Sequence, residues 1–102
     1  MITEFVRFGL PAGITRDEVV AGMREVAPRW RREAHLIRKT FVLDPQLAFA
    51  GAFYLWQDRA SAEAAHDAAW RHRVRAQYGS EPEIQYFDTP LVVDNALGQV
   101  IE

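Results

Sequence analysis

His66 and Trp70 stand four residues apart in the run AEAAHDAAW, and a helix through that run puts both side chains on one face. An imidazole titrates near neutrality, so His66 is a candidate proton acceptor for a phenolic or enolic substrate. The plain alternative is a histidine at the helix border, bonded to water or a neighbour. Trp70, with Trp30, Tyr54 and Trp56, can ring a flat organic ligand; for Trp70 the competing reading is a place in the core. Arg38 is a candidate of another kind. It adjoins Lys39 in an otherwise apolar stretch, and neighbouring strand residues point to opposite faces. An inward Arg38 would hold an anionic or enolate oxygen. The alternative is a structural ion pair across the dimer seam, with Glu4 or Glu83 as available partners.

Other chemistries lack their residues. There are no cysteines, which removes disulfides, thiol nucleophiles, iron–sulfur clusters and zinc-thiolate sites. His72 lies six residues from His66, so the two cannot form a helical metal pair at i, i+4. His35 is isolated near a loop. No metal site is expected, and no cofactor; haem held through one histidine has no specific pattern behind it. There is no phosphate loop, no dinucleotide fingerprint, no serine elbow and no paired catalytic carboxylates. A net charge of −2 with scattered cations argues against nucleic acid and against an anionic membrane as partners. Glu4 and Arg7 would interrupt the apolar part of a signal peptide, and no run has the length of a membrane span. The expected location is the cytoplasm.

The elements that must position these residues follow from local signals. Ile2–Leu10 is rich in β-formers and ends at Pro11-Ala12-Gly13. Thr15 and Glu18 form a capping box, and Ile14 can pack on Val19 as a hydrophobic staple. A first helix is predicted from Thr15 to about Ala27, with apolar residues at helical spacing. Pro28 leaves the next residues either a kinked continuation or a new short turn. Leu36–Leu43 is a second strand and Leu47–Trp56 a third, joined through Asp44-Pro45-Gln46 as an antiparallel hairpin. Asp58 can cap a second helix from Arg59 to about Gln77, with Gly79 at its end. In that helix Asp67 and Arg71 read as an exposed i, i+4 pair. Glu83–Phe87 is a fourth strand; Leu91–Val93 extends it after a bend at Pro90, and residues 96–102 read as a tail.

The order β-α-β-β-α-β is the split βαβ unit of an α+β, ferredoxin-like βαββαβ fold. Residues 1–95 are expected to form one domain, a four-stranded antiparallel sheet with two helices on one face. Its other face is the difficulty. The stretch LAFAGAFYLW carries no charge and no proline, so both faces of the third strand want cover. Four strands of about seven residues present roughly 400 Å² in projection, as large as the biggest apolar patch on a typical monomer. A second copy, sheet on sheet, would supply the cover, and a homodimer is expected.

Element order, the YLW that ends the third strand, and the AEAAHDAAW helix with its RVRAQYGSEPEI continuation together resemble the dimeric α/β-barrel proteins. The nearest branch is the small mono-oxygenase-like proteins related to antibiotic-biosynthesis monooxygenases. The resemblance spans roughly Phe5 to Asn95. Trp56 and His66 match its aromatic at the end of strand three and its histidine in helix two. Glu33-Ala34-His35 departs from it, where such proteins often carry glycine. The resemblance implies a dimeric α/β barrel with a pocket in each subunit between sheet and helices. Its members include cofactor-free oxygenases of aromatic polyketides, haem-degrading enzymes and proteins of no assigned activity.

The expectation is therefore a cofactor-independent monooxygenase of a small aromatic or polyketide-like substrate. In it His66 deprotonates, Arg38 stabilises charge, and Trp30, Tyr54, Trp56 and Trp70 form an apolar cage. The alternative is a non-catalytic dimer that binds a small apolar or aromatic ligand or serves a stress-related role; a third reading is a structural or assembly module whose aromatic residues are only core. The alanines of the second helix, if they face Ala48, Ala50 and Ala52, mean either close backbone approach or an open cavity.

Overall fold

A computed structural model describes all 102 residues of the chain. The first strand, β1 (Ile2–Gly9), leads through a left-handed turn at Gly13 into α1 (Arg16–Arg31). Thr15 caps α1: its hydroxyl accepts from the Glu18 N–H while Glu18 reaches back to the Thr15 N–H. The helix does not stop before Pro28 but runs to Arg31 with the proline inside its last turn. So near the C-terminus the ring removes one helical hydrogen bond. Continuing the helix brings Trp30 down onto the sheet, where it is buried; burying so large a side chain is worth about 2–3 kcal/mol.

Strands β2 (Leu36–Leu43) and β3 (Phe49–Trp56) form the expected hairpin. The second predicted helix is instead two, α2 (Arg59–Ala65) and α3 (Ala68–Tyr78), broken at His66-Asp67. Asp58 caps α2 by accepting from the Ser61 N–H. Asp67 does the same for α3 at the Trp70 N–H, so it is a cap and not the partner of Arg71, which pairs with Glu81. A short carboxylate that satisfies a free N–H competes well with continuing a helix through that position.

Strand β4 (Glu83–Asp88) completes an antiparallel sheet in the order β2-β3-β1-β4. This is the ferredoxin-like arrangement. Leu91–Val93 does not extend β4. Strand β5 (Val92–Asp94) and strand β6 (Gln99–Ile101), the latter within the expected tail, form a separate hairpin turned at Gly98. No helix is long and apolar enough to cross a membrane.

Register settles which residues share a face. Glu4 pairs with Tyr54, Val6 with Ala52 and Phe8 with Ala50; these side chains, with Trp56, lie under the helices. Phe5 pairs with Phe53 on the opposite face, their rings stacked at 4.3 Å. Phe53 and Phe87 are 43% and 50% exposed there, so most of that face is uncovered. The β5–β6 hairpin shelters one end of it, where Val92 and Leu55 line the same cleft and Leu55 is buried. Gly51, in the middle of β3, is required by close approach: a Cβ there would lie 2.0 Å from the Val6 carbonyl oxygen.

Candidate functional site

The helix-facing side of the sheet does not fill. Ala50, Gly51 and Ala52 make a shallow floor, Met23 and Trp30 of α1 stand on one side, and Trp70 and Tyr78 of α3 on the other. The space between them is a cavity of about 170 Å³. An apolar cavity of about 150 Å³ holds a benzene ring, so this one accepts at least one flat ring. Gly22 brings α1 against the Tyr78 hydroxyl, 3.2 Å from where its Cβ would be, which closes the helices together on that side. The alanines of the second helical region contribute little. Ala60, Ala64, Ala68 and Ala69 are exposed and only Ala62 is fully buried; the open space comes from the small residues of β3.

Beyond one wall of the cavity lies a buried polar triad. Glu4 of β1 has no exposed surface, yet both its oxygens are engaged: the Trp56 Nε1–H donates to Oε1 at 2.9 Å and His66 Nδ1 meets Oε2 at 2.9 Å. A carboxylate can only accept, so the proton between them sits on Nδ1. Isolated burial of a carboxylate costs several kcal/mol, and these two bonds offset it. The break between α2 and α3 makes this contact possible, since His66 sits at the end of α2 with non-helical dihedrals. The other ring nitrogen, Nε2, is buried without a partner. Trp30, Tyr54 and Trp70 enclose the imidazole, with ring centroids 5.5, 4.7 and 4.4 Å away. The same environment acts on the phenols. Burial, and then the Glu4 charge, raise the Tyr54 hydroxyl well above its ordinary range and push Tyr86 to about 12, so both remain protonated donors near neutral pH.

Arg29, Lys39 and Arg73 all line the cavity, and the cation set among three of its aromatic rings is Lys39. In β2 it pairs with Tyr54 across the sheet, and its Nζ lies 4.0 Å from the Trp30 ring centroid, 4.1 Å from Phe41 and 4.6 Å from Tyr54. No carboxylate is within ion-pairing distance of it; the Glu4 carboxylate is engaged by Trp56 and His66. Burial first, and then the neighbouring Arg29 charge, lower its pKa from 10.5 to about 7, against a smaller opposing pull from Glu4. The three ring faces favour the ammonium form, but desolvation dominates.

The expected site residues therefore separate. Trp30, Tyr54 and Trp70 line the cavity. Trp56 does not: it is fully buried and committed to Glu4. His66 is behind the wall and not among the lining residues. Arg38 lies on the open face of the sheet and faces away from the cavity; its partner is neither Glu4 nor Glu83 but the buried Asp94 of β5, within the same chain. Sequence reasoning did not single out Lys39 as the inward cation, although a signal was present. The chain has twelve cationic side chains, and Lys39 is its only lysine. No group of three or more His, Asp or Glu side chains is placed to hold a metal ion.

Comparison with solved structures places this architecture. The chain superposes on a protein of unknown function from Nitrosomonas europaea, NE2512, with a TM-score of 0.73 and 19% identity, over 90% of this chain and 91% of that one. It superposes on an antibiotic biosynthesis monooxygenase with a TM-score of 0.68 and 15% identity, over 87% and 98% of the two chains. For a mutant of SnoaB, a cofactor-independent oxygenase from Streptomyces nogalater, the values are 0.64 and 17%, over 90% and 95%. The fold is thus the ferredoxin-like α+β fold of the antibiotic biosynthesis monooxygenase-like structures. No protein-family model matches the chain, and no curated protein matches it.

Proposed function

We propose that the chain is a cofactor-independent monooxygenase of a flat aromatic or polyketide-like substrate bearing an ionisable hydroxyl. The observation that carries this reading is the aromatic cavity with Lys39 in its wall as an amine free of any carboxylate. An amine with a pKa of about 7 is matched to proton transfer at neutral pH. It would take the proton from a substrate hydroxyl or activated CH2 and then hold the resulting oxyanion as an ammonium. The carbanion form of the substrate would pass electrons to oxygen; one oxygen atom would enter the product as a carbonyl and the other leave as water. The apolar walls would keep bulk water from that anion. These assignments move the proton acceptor from His66, and the charge-stabilising role from Arg38, to Lys39. The Glu4–His66 pair would hold Trp30, Tyr54 and Trp70 in place.

Homodimerisation through the open sheet face belongs to the same reading. It is supported by the stacked Phe5–Phe53 pair and the exposed Phe87, which otherwise remain in water. The experiment is oxygen uptake with a hydroxyanthrone, whose CH2 lies between two rings, using isotopically labelled oxygen. Uptake above the uncatalysed rate, with one labelled atom in the product carbonyl and loss of uptake in Lys39→Met, is expected. A second reading, a ligand-binding dimer without turnover, is favoured by the seclusion of His66 from the cavity. It predicts a rise in melting temperature with the same compound and no oxygen consumption.

A further inference from the structure

We propose that Lys39 is an imine-forming amine, and that the cavity captures an aromatic aldehyde or ketone as a Schiff base on its Nζ. This goes beyond the oxygenase reading and does not depend on it. Three observations meet at the residue. First, Nζ lines a cavity that accepts a flat ring, and the rings of Trp30, Phe41 and Tyr54 lie 4.0, 4.1 and 4.6 Å from it. A ring carrying a carbonyl, stacked in that space, would place its carbonyl carbon beside the amine. Second, the group has no carboxylate to keep it an ammonium. The like charge that acts on it, Arg29, also lines the cavity. A desolvated lysine next to another cation is the arrangement that activates an amine as a nucleophile. Third, every other cationic side chain in the protein is arginine. A guanidinium cannot lose its proton at accessible pH and an imidazole cannot form an imine, so this position alone supplies a side-chain primary amine.

The chemistry closes without an oxidant. The neutral amine adds to the carbonyl carbon, forming the C–N bond as the C=O electron pair moves to oxygen. A proton passes from nitrogen to that oxygen, giving a carbinolamine. Loss of the hydroxyl as water leaves the imine. The lowered basicity of Lys39 agrees with the geometry: at pH 7 about half of it is neutral, against roughly one part in 2,500 for an ordinary lysine. Part of that advantage is offset by the weaker nucleophilicity of a weaker base, so the expected gain in rate is about 100-fold over Nα-acetyl-lysine.

The test uses the intact chain, 1-naphthaldehyde and sodium cyanoborohydride at about pH 7 under nitrogen, read by intact mass and peptide mapping. A single reduced adduct on Lys39, formed about 100-fold faster than on Nα-acetyl-lysine and slowed to that reference rate by urea unfolding, is the result expected. Lys39→Met and Lys39→Arg should both lose it, and their circular dichroism shows whether the fold survives. An adduct confined to the Met1 α-amine, or a Lys39 rate equal to that of Nα-acetyl-lysine, overturns the proposal. Because no oxygen is present, trapping succeeds or fails independently of monooxygenase turnover.

Discussion

Replacing Lys39 by methionine should make the protein more stable, and more so in acid than in base. The unfolded chain holds the Lys39 proton up to about pH 10.5, whereas the folded chain releases it at about 7. Between those values the unfolded state binds more protons, so stability rises with pH; below about 7 both states are protonated and the full penalty of burying the ammonium applies. At about 1.36 kcal/mol per pKa unit the penalty has a ceiling of about 5 kcal/mol. Methionine has similar length and no charge, and it can fill the same aromatic cage. Lys39→Met is therefore expected to gain several kcal/mol near pH 6, and its advantage should shrink by about 2.5 kcal/mol by pH 9 as the wild-type amine is neutral in the folded state. Urea denaturation of both proteins across that range measures this directly. Parallel stability curves from pH 6 to 9 would refute the reasoning, since they would mean that the folded and unfolded chains hold this proton alike.

Three further substitutions probe the scaffold. Glu4→Ala leaves the Trp56 N–H and the His66 Nδ1–H buried without their shared acceptor; a loss of about 3–5 kcal/mol is expected in equilibrium unfolding, with Glu4→Gln losing less because one acceptor oxygen remains. Gly51→Ala drives a Cβ into the Val6 carbonyl and should cost more than about 3 kcal/mol, seen as a lowered thermal midpoint by circular dichroism. A normal midpoint would show that β1 and β3 can separate without penalty. Phe53→Arg places a charge on the exposed aromatic face; if the proposed homodimer forms there, sedimentation velocity should show dimers for the native protein and a folded single chain for the variant, and an unchanged distribution would remove that face as the seam.

Local signals were legible because their physics is local. The Thr15–Glu18 capping box lies within three residues and appears as read. Asp58 as a cap, Gly79 in the left-handed position after α3, and the hairpin around Asp44 are of the same kind. The break at Asp67 was hidden for a related reason. The alanines around it favour helix, and only the competing bond from Asp67 to the Trp70 N–H, together with the pull of Glu4 on His66, decides for two helices. Alternation along β2 required Arg38 and Lys39 to face opposite ways but could not say which faced in. An irregularity between Leu36 and Arg38 offsets the register, and pairing with Tyr54 then turns Lys39 under the helices.

What the sequence by itself determined was the element order and an excess of apolar sheet, since β-propensity, helical spacing and turn chemistry are written within a few residues of one another. Only the tertiary structure decided the site. Glu4 and His66 are 62 residues apart, and Lys39 of β2 meets Trp30 from α1 and Tyr54 from β3. Contacts between distant segments depend on strand register and helix placement, which are set by packing the whole sheet at once.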